Sequence, residues 1–199
     1  MSANNFFISN ERNNVDHYNY YYFDGVFTED ELTKINNLAN SYPKYKGVVV
    51  GEDGSNNESN YRKSTVIWIP DELRALWLYD KISDLGNTAN TNMWNYEIWG
   101  YNDQLQYTIY EGNGGHYDWH ADLGPTISNR KLSCVIQLSD PEDYEGGDLQ
   151  LNNGSGIITI EKKKGRVVFF SSFVLHRVTP VTKGTRISLV SWLSGKNFR

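Results

Sequence analysis

The most informative stretches of this chain are His120-Ala121-Asp122 and Val174-Leu175-His176-Arg177-Val178, with Arg186 ten residues after His176. Residues two apart on a β-strand point to the same face of a sheet, so His120 and Asp122 can bind one metal ion. The third ligand, His176, can lie on a neighbouring strand, because residues far apart in sequence become neighbours in a sheet. Two imidazoles and one carboxylate on one face of an octahedral Fe(II) leave three positions open for other ligands.

Arg186 is predicted to bind a carboxylate beside the metal. Its planar guanidinium can form two parallel hydrogen bonds with a carboxylate, which suits the far end of a metal-chelating dicarboxylate. Ser188 lies two residues further along, so its hydroxyl can donate into the same pocket. The ligand types alone also permit zinc. The alternative is that no metal site exists, and that these residues are a structural histidine, a surface aspartate and an arginine in a surface ion pair.

Composition and charge indicate a folded protein of one domain. The chain has 199 residues, of which 14% are aromatic and 22% charged, so we expect one domain over residues 1–199. A net charge of −5 argues against a nucleic-acid surface or an anionic-membrane surface. Cys134 is the only cysteine, which excludes an internal disulfide and favours a reducing compartment. The sequence shows neither a signal-peptide pattern nor a membrane-spanning apolar stretch, which predicts a cytoplasmic protein.

Residues 1–93 are predicted to contain two helices, the first strands and a substrate loop. Thr28 and Glu31 form a capping-box pattern, and the apolar residues after them recur at helical spacing, so a first helix is predicted to end near Tyr42. The polar, glycine-bearing residues 51–60 are predicted to be a mobile loop between two strands.

The second helix is predicted to begin at Asp71 and to stop at Gly86, because glycine is common directly after a helix. Its inward-facing side chains are predicted to be Leu73, Leu76, Trp77 and Ile82. Both helices are then expected to pack their apolar faces on a sheet.

The apolar pattern changes to a period of two in residues 94–195. Leu132, Cys134 and Ile136, for example, alternate with more polar residues. About eight short strands separated by glycine turns are typical of a barrel or jelly roll. We therefore predict a mainly β fold with flanking helices (α+β): a double-stranded β-helix barrel, of the jelly-roll or cupin-like kind, with the helices packed on one face.

The C-terminal half resembles the iron(II)/2-oxoglutarate-dependent oxygenases, and within them the prolyl 4-hydroxylases. The resemblance extends from about Tyr107 to Trp192 and rests on seven motifs, which are Tyr110-Glu111-Gly112, Tyr117–Asp122, Arg130–Ser133, Tyr144–Leu149, Gly165–Phe170, His176–Val181 and Gly184–Ser188. It implies the same barrel, with Fe(II), 2-oxoglutarate and O2 as cofactor and co-substrates, and ascorbate as a further cofactor. The activity that it implies is that of a procollagen-proline 4-dioxygenase: hydroxylation of a prolyl residue in a peptide or protein, with succinate and CO2 as products.

The resemblance also implies roles for two residues of the co-substrate pocket. Tyr110 lies ten residues before His120, where the prolyl hydroxylases carry a tyrosine that donates to the far carboxylate. Gln137 falls where some relatives have a second tyrosine, and its amide could take that place. The alternative for either residue is an ordinary side chain that lines the barrel.

A third group of residues is implied to bind the substrate. Tyr61–Trp68 is similar to the family's strand at the substrate lip, so that Arg62 and Ser64 would contact a peptide. Tyr117 and Trp192 would border the same pocket, whereas Arg62 could instead be a charge at the barrel edge.

His116 is a competing metal ligand, because it lies four residues before His120. Such spacing suits a metal site on a helix, but the glycines at 112, 114 and 115 disfavour a helix here. We therefore interpret His116 as a loop residue near the mouth of the active site.

Two other functions stay open. The first is the same oxygenase chemistry on a free amino acid, a small metabolite or another protein side chain. The second is a non-catalytic sensor module, in which a cupin-like barrel binds a metal without turnover.

Overall fold

The computed structural model of the chain describes residues 20–50, 56–57, 60–124 and 127–198. The elements of the N-terminal part are β1 (Tyr20–Phe23), α1 (Glu29–Ala39), β2 (Tyr45–Lys46), β3 (Val49–Val50), β4 (Asn56–Asn57), β5 (Arg62–Lys63), β6 (Thr65–Ile69) and α2 (Leu76–Met93). Those of the C-terminal part are β7 (Ile98–Gly100), β8 (Leu105–Glu111), β9 (Gly115–His120), β10 (Arg130–Gln137), β11 (Tyr144–Gly146), β12 (Leu149–Asn152), β13 (Ile157–Thr159), β14 (Val167–Ser171) and β15 (Leu175–Gly195).

The last strand, β15, connects two antiparallel layers of strands. Its C-terminal part pairs with β10 and β8 in the order β1-β14-β10-β15-β8-β6-β2. Its N-terminal part pairs with β9, β11 and β12. Beyond these, β9 pairs with β5 and β12 pairs with β13. The predicted jelly-roll fold with two helices is confirmed, and the passage of β15 from one layer to the other places residues 176 and 186 in a common interior.

The two helices cover one face of the larger layer. The buried side chains of α1 include Leu32 and Ile35, and those of α2 include Leu78 and Ile82. They belong to one apolar cluster with alternate residues of the sheet, which are Ile67, Ile69, Leu105, Tyr107, Leu132, Cys134, Ile136, Phe169, Leu189 and Leu193. Because strand residues alternate between faces, the intervening residues of β8, β10 and β15 point into the barrel.

The capping box of α1 is present as predicted. The Thr28 hydroxyl accepts from the Glu31 amide at 3.2 Å, and the Glu31 carboxylate accepts from the Thr28 amide at 2.8 Å. The helix ends at Ala39, three residues before the predicted end at Tyr42. Within the described part of the chain, no helix has the length and apolar character needed to span a membrane.

The prediction for α2 was wrong at both ends. Gly86 lies inside the helix, which continues to Met93, and a Cβ at Gly86 would be 2.2 Å from Cδ1 of Leu193. This glycine therefore permits close packing of the helix on the sheet and does not end the helix. Leu73 and Leu76 are 88% and 41% exposed, because the helix begins only at Leu76, beyond the predicted start.

The predicted strand at the substrate lip, Tyr61–Trp68, is divided into β5 and β6, which pair with different strands. The strand pattern was predicted from residue 94, whereas β7 begins only at Ile98. Most of the predicted mobile loop at residues 51–60 lies outside the described residues.

Asp24 and Arg166 form a bidentate ion pair that joins the end of β1 to the start of β14, with two nitrogen–oxygen distances of 2.8 Å. The hydrogen bond from Arg166 lowers the pKa of Asp24 below its ordinary 3.8. A lowered pKa in the folded state stabilises the protein above the unfolded-state value, and this contribution is lost as the pH falls through the folded-state value.

We therefore expect Asp24→Asn to lower the stability at pH 7 by about 1 kcal/mol, or roughly 2–4 °C in Tm, since the carboxylate is partly exposed and screened. The difference from wild type should shrink as the pH falls below about 4. Thermal unfolding followed by circular dichroism between pH 7 and pH 3 measures it. A difference that stays constant over this range would contradict the assignment to the Asp24 carboxylate.

Candidate metal centre and its pocket

The three predicted metal ligands lie together in the barrel. His120 is the last residue of β9, Asp122 follows two residues later, and His176 on β15 pairs directly with His120. One ligand atom from each residue lies within 4.8 Å of the others. The sequence prediction placed His120 and Asp122 on one strand, whereas Asp122 lies just beyond the strand end.

Both histidines offer Nε2 to the centre of the cluster. Nδ1 of His120 lies 2.7 Å from the carbonyl of Asp118, and Nδ1 of His176 lies 3.0 Å from that of Val174. A carbonyl only accepts, so a neutral imidazole at either position carries its proton on Nδ1 and keeps a lone pair on Nε2. The two Nε2 atoms lie 3.8 and 3.4 Å from the Asp122 carboxylate.

The protonation states of the cluster suit a divalent cation. Burial, followed by the neighbouring His176, lowers the pKa of His120, so its imidazole is neutral at pH 7. Burial raises the pKa of Asp122, but His176, His120 and the Ser133 hydroxyl outweigh it and leave the pKa below its ordinary value. Two imidazoles and one carboxylate are the donor set expected for non-haem Fe(II), so the residues present fit this metal.

Ser133 orients the metal-binding carboxylate. Its hydroxyl, on the interior face of β10, donates to Oδ2 of Asp122 at 2.6 Å. The amide of Asp122 donates to the carbonyl of Ser172 at 2.9 Å. The sequence analysis assigned no role to Ser133, although the alternation of β10 places it on the same face as Gln137.

We expect Ser133→Ala to weaken metal binding by about 10–100-fold, because partners that orient a metal ligand typically contribute that much. Ser191→Ala is the matched control, since Ser191 is equally buried but lies on the opposite face of the adjacent strand. Calorimetric titration with Mn(II) measures both variants. Equal affinities for Ser133→Ala and wild type would show that the hydrogen bond does not position Asp122.

Arg186 lies in the interior with part of its hydrogen-bonding capacity unused. It is 2% exposed, its Nη1 donates to the Ser188 hydroxyl at 3.2 Å, and its guanidinium lies 5.3 Å from the ring centre of Tyr110. Among the described residues, no group accepts from its buried Nη2. A buried cation in this state is costly unless an anion binds, and the predicted carboxylate of a co-substrate would meet this need.

Gln137 is in the barrel but is directed elsewhere. Its amide nitrogen donates to the backbone carbonyl of Glu161 at 2.9 Å, and the residue is 4% exposed. Its role in co-substrate binding therefore stays a prediction without a supporting contact. Tyr144, to which the sequence analysis gave no role, packs in a buried cluster with Tyr110 near Arg186.

Three of the predicted substrate residues form a chain of contacts that begins at a metal ligand. The ring centre of Tyr117 lies 3.5 Å from that of His120, and the Arg62 guanidinium lies 4.5 Å from the ring centre of Tyr117. Arg62 also donates to the Ser64 hydroxyl at 2.9 Å. Its Nη2 is buried, and none of the described residues accepts from it.

A cavity of about 350 Å³ lies beside this stack and is lined by Tyr45, Lys46, Val48, Arg62, Val66, Trp68 and Gln106. Trp68 packs on Trp192, with ring centres 6.4 Å apart. Trp192 in turn lies under Arg130, at 3.8 Å, and Arg130 donates to the Asp122 carbonyl at 3.4 Å. The cavity is thus connected through aromatic contacts to the metal ligands.

His116 does not belong to the metal cluster, but the interpretation of it as a loop residue was wrong. It lies in β9 and pairs with Lys63 of β5. Its two ring nitrogens lie 2.8 and 2.7 Å from the carbonyls of Gly114 and Asn60. The glycines disfavour a helix, as expected, but Gly115 begins a strand.

Comparison with known proteins finds a family match in the C-terminal half of the chain. Residues 105–194 match the family model described as the 2OG-Fe(II) oxygenase superfamily. A PKHD-type hydroxylase of Teredinibacter turnerae is 36% identical over 87 residues, which cover 41% of this chain and 38% of the relative. One from Herminiimonas arsenicoxydans is 38% identical over 91 residues, which cover 42% and 40%. The matched stretch thus spans about two-fifths of the length of these relatives.

Solved structures extend the likeness to most of the chain. A prolyl hydroxylase from Trichoplax adhaerens, in complex with a peptide fragment of the hypoxia inducible factor oxygen degradation domain, has a TM-score of 0.74 and 20% identity, covering 90% of this chain and 84% of that one. A Pseudomonas putida prolyl-4-hydroxylase has a TM-score of 0.69 and 18% identity, covering 91% and 95%. Residues 105–194 are therefore similar to the 2OG-Fe(II) oxygenase superfamily, and the chain shares its fold with prolyl hydroxylases.

Proposed function

We propose that this protein is an Fe(II)- and 2-oxoglutarate-dependent dioxygenase that hydroxylates a prolyl residue, at the 4-position, in a peptide or protein. The observation that carries the proposal is the combination, in one barrel interior, of the His120–Asp122–His176 cluster with the guanidinium of Arg186, whose buried Nη2 has no acceptor among the described residues. A group of three metal-binding side chains alone is compatible with many functions. A buried arginine that needs an anion nearby indicates a dicarboxylate co-substrate.

The residues have separable tasks in this proposal. Iron, when bound together with 2-oxoglutarate, supplies the activation of O2, which hydroxylates a C–H bond as 2-oxoglutarate becomes succinate and CO2. His120, Asp122 and His176 hold the ion from one side, so that three positions stay open. Arg186 binds the far carboxylate of 2-oxoglutarate and fixes its orientation. The buried surroundings exclude water from these charges and strengthen their interactions.

A peptide substrate is supported by the cavity that Arg62 and Trp68 line. Trp68 and Tyr45 offer aromatic faces, on which a proline ring packs well. The buried Nη2 of Arg62 can donate to a backbone carbonyl of the peptide, since no described residue accepts from it. The structural relative from Trichoplax adhaerens contains a peptide, which agrees with this assignment.

Succinate formation tests the proposal. Anaerobically iron-loaded protein is mixed with 2-oxoglutarate, ascorbate and O2, with and without proline-containing peptides, and each peptide is examined by mass spectrometry. We expect peptide-dependent succinate and one added oxygen on proline. Turnover with free amino acids or other side chains, and none with proline, would show that the protein is an oxygenase with a different substrate. Iron and 2-oxoglutarate binding without succinate would favour a non-catalytic sensor.

A further inference from the structure

Tyr144 is a buried tyrosine that begins β11 next to the strand of Arg186. It is 6% exposed and pairs with Gly184, two residues before Arg186 on β15. A Cβ at Gly184 would be 1.8 Å from the carbonyl oxygen of Asp143, so only glycine allows β11 to approach this closely. The chain is therefore built to bring Tyr144 beside the arginine.

Gly147 lies against both the ring of Tyr144 and the side chain of Arg186. A Cβ at Gly147 would be 2.9 Å from Cδ of Arg186 and 3.3 Å from Cδ2 of Tyr144. Gly147 also has a φ of +63°, which favours glycine. Burial raises the pKa of the Tyr144 hydroxyl, and Arg186 opposes this rise through its charge and a hydrogen bond.

Lys162 fixes the position of the same ring. Its Nζ lies 4.5 Å from the ring centre of Tyr144 and donates to the carbonyl of Gly146 at 2.5 Å. It also pairs with Asp148 at 3.2 Å. Tyr144 is thus a preorganised side chain that contacts two cations, and loss of its hydroxyl should leave the packing intact.

Gln137 does not offer the donor that its position in the barrel suggests. Its amide nitrogen donates to the Glu161 carbonyl, so the NH2 group is turned toward that backbone, and its amide oxygen can only accept. A further hydroxyl beside Arg186, in addition to those predicted at Tyr110 and Ser188, would strengthen the binding of an anion there.

We propose that the Tyr144 hydroxyl donates a hydrogen bond to the far carboxylate of the dicarboxylate co-substrate and takes the place of the donor missing at Gln137. Tyr144 is then a binding residue that determines selectivity for 2-oxo acids with a second carboxylate. This assignment rests on the proposed function, since it requires that a dicarboxylate binds at Arg186.

Calorimetric titration of the Mn(II)-loaded protein tests it without turnover. The ligands are 2-oxoglutarate and 2-oxobutyrate, which has the same metal-chelating end but no far carboxylate. We expect Tyr144→Phe to bind 2-oxoglutarate about 10–100-fold more weakly, as for a lost hydrogen bond to a charged group, and 2-oxobutyrate as wild type does. The matched control is Tyr107→Phe, a buried tyrosine whose hydroxyl binds Asn36 on the helix side at 2.9 Å and which should change neither affinity.

The double variant Tyr144→Phe, Gln137→Tyr should recover part of the lost affinity for 2-oxoglutarate, because it restores a phenol on the facing strand. A loss that is equal for both ligands, or no loss, overturns the role of Tyr144. If the double variant binds 2-oxoglutarate no more tightly than Tyr144→Phe does, then Tyr144 does not take the place of a donor at position 137. If wild type binds no 2-oxoglutarate, the proposed function itself is wrong. If wild type binds it and Tyr144→Phe binds it equally well, only the role of Tyr144 is wrong.

Discussion

His176→Ala is expected to weaken metal binding by more than about 100-fold and to abolish turnover, because loss of a ligand should exceed the 10–100-fold effect of losing an orienting partner. His176 is 6% exposed, and its Nε2 faces Asp122 at 3.4 Å. With one imidazole and one carboxylate left, the site loses a third of its protein ligands.

Metal-dependent stabilisation provides a measurement that does not depend on turnover. A ligand present at 100 times its Kd stabilises the folded state by about 2.7 kcal/mol. Mn(II) should therefore raise the Tm of wild type and leave that of His176→Ala unchanged. His116→Ala is the control, since this histidine lies on β9 but outside the cluster, and its Mn(II) response should match wild type. An undiminished Mn(II) response in His176→Ala would remove His176 from the metal site.

The metal ligands and Arg186 could be predicted because they lie in short motifs or in strands with a clear alternation of apolar residues. The alternation of apolar residues in β10 and β15 indicated strands, and His-x-Asp needs only two positions near one strand end. The pairing of His120 with His176 follows from the antiparallel register of β9 and β15. No sequence window contains both residues, so their contact was predicted from the chemistry of the ligand set.

The supporting residues could not be predicted in this way, because their roles depend on tertiary approach. Ser133 acquires its role from a strand end eleven residues earlier, and Tyr144 acquires its position from the glycines at 147 and 184. The prediction that the second helix stops at Gly86 was wrong for the same reason. A glycine that follows a helix and a glycine that packs under a leucine cannot be distinguished in the sequence.

Arg186→Met is expected to abolish tight binding of 2-oxoglutarate and yet to leave the stability of the ligand-free protein unchanged or higher. Wild type buries a guanidinium whose Nη2 has no acceptor among the described residues, and methionine replaces it with an apolar side chain. Replacing a buried charge with a hydrophobic side chain of comparable size is often neutral or stabilising. The far carboxylate of 2-oxoglutarate, in contrast, loses its charged partner, which typically costs 2–5 kcal/mol, or about 30- to 5,000-fold in affinity.

Arg166→Met is the matched control, because Arg166 is also buried but has its acidic partners, Asp24 and Glu161, in place. It should lower the free energy of unfolding by about 1–3 kcal/mol and leave 2-oxoglutarate binding unchanged, since it separates an existing ion pair. Urea denaturation and calorimetric titration of both Mn(II)-loaded variants measure the two effects. If Arg186→Met is destabilised as much as Arg166→Met and still binds 2-oxoglutarate as wild type does, then Arg186 is a structural residue. The opposite pattern means that the protein retains an unneutralised charge in its core because the co-substrate supplies the missing anion.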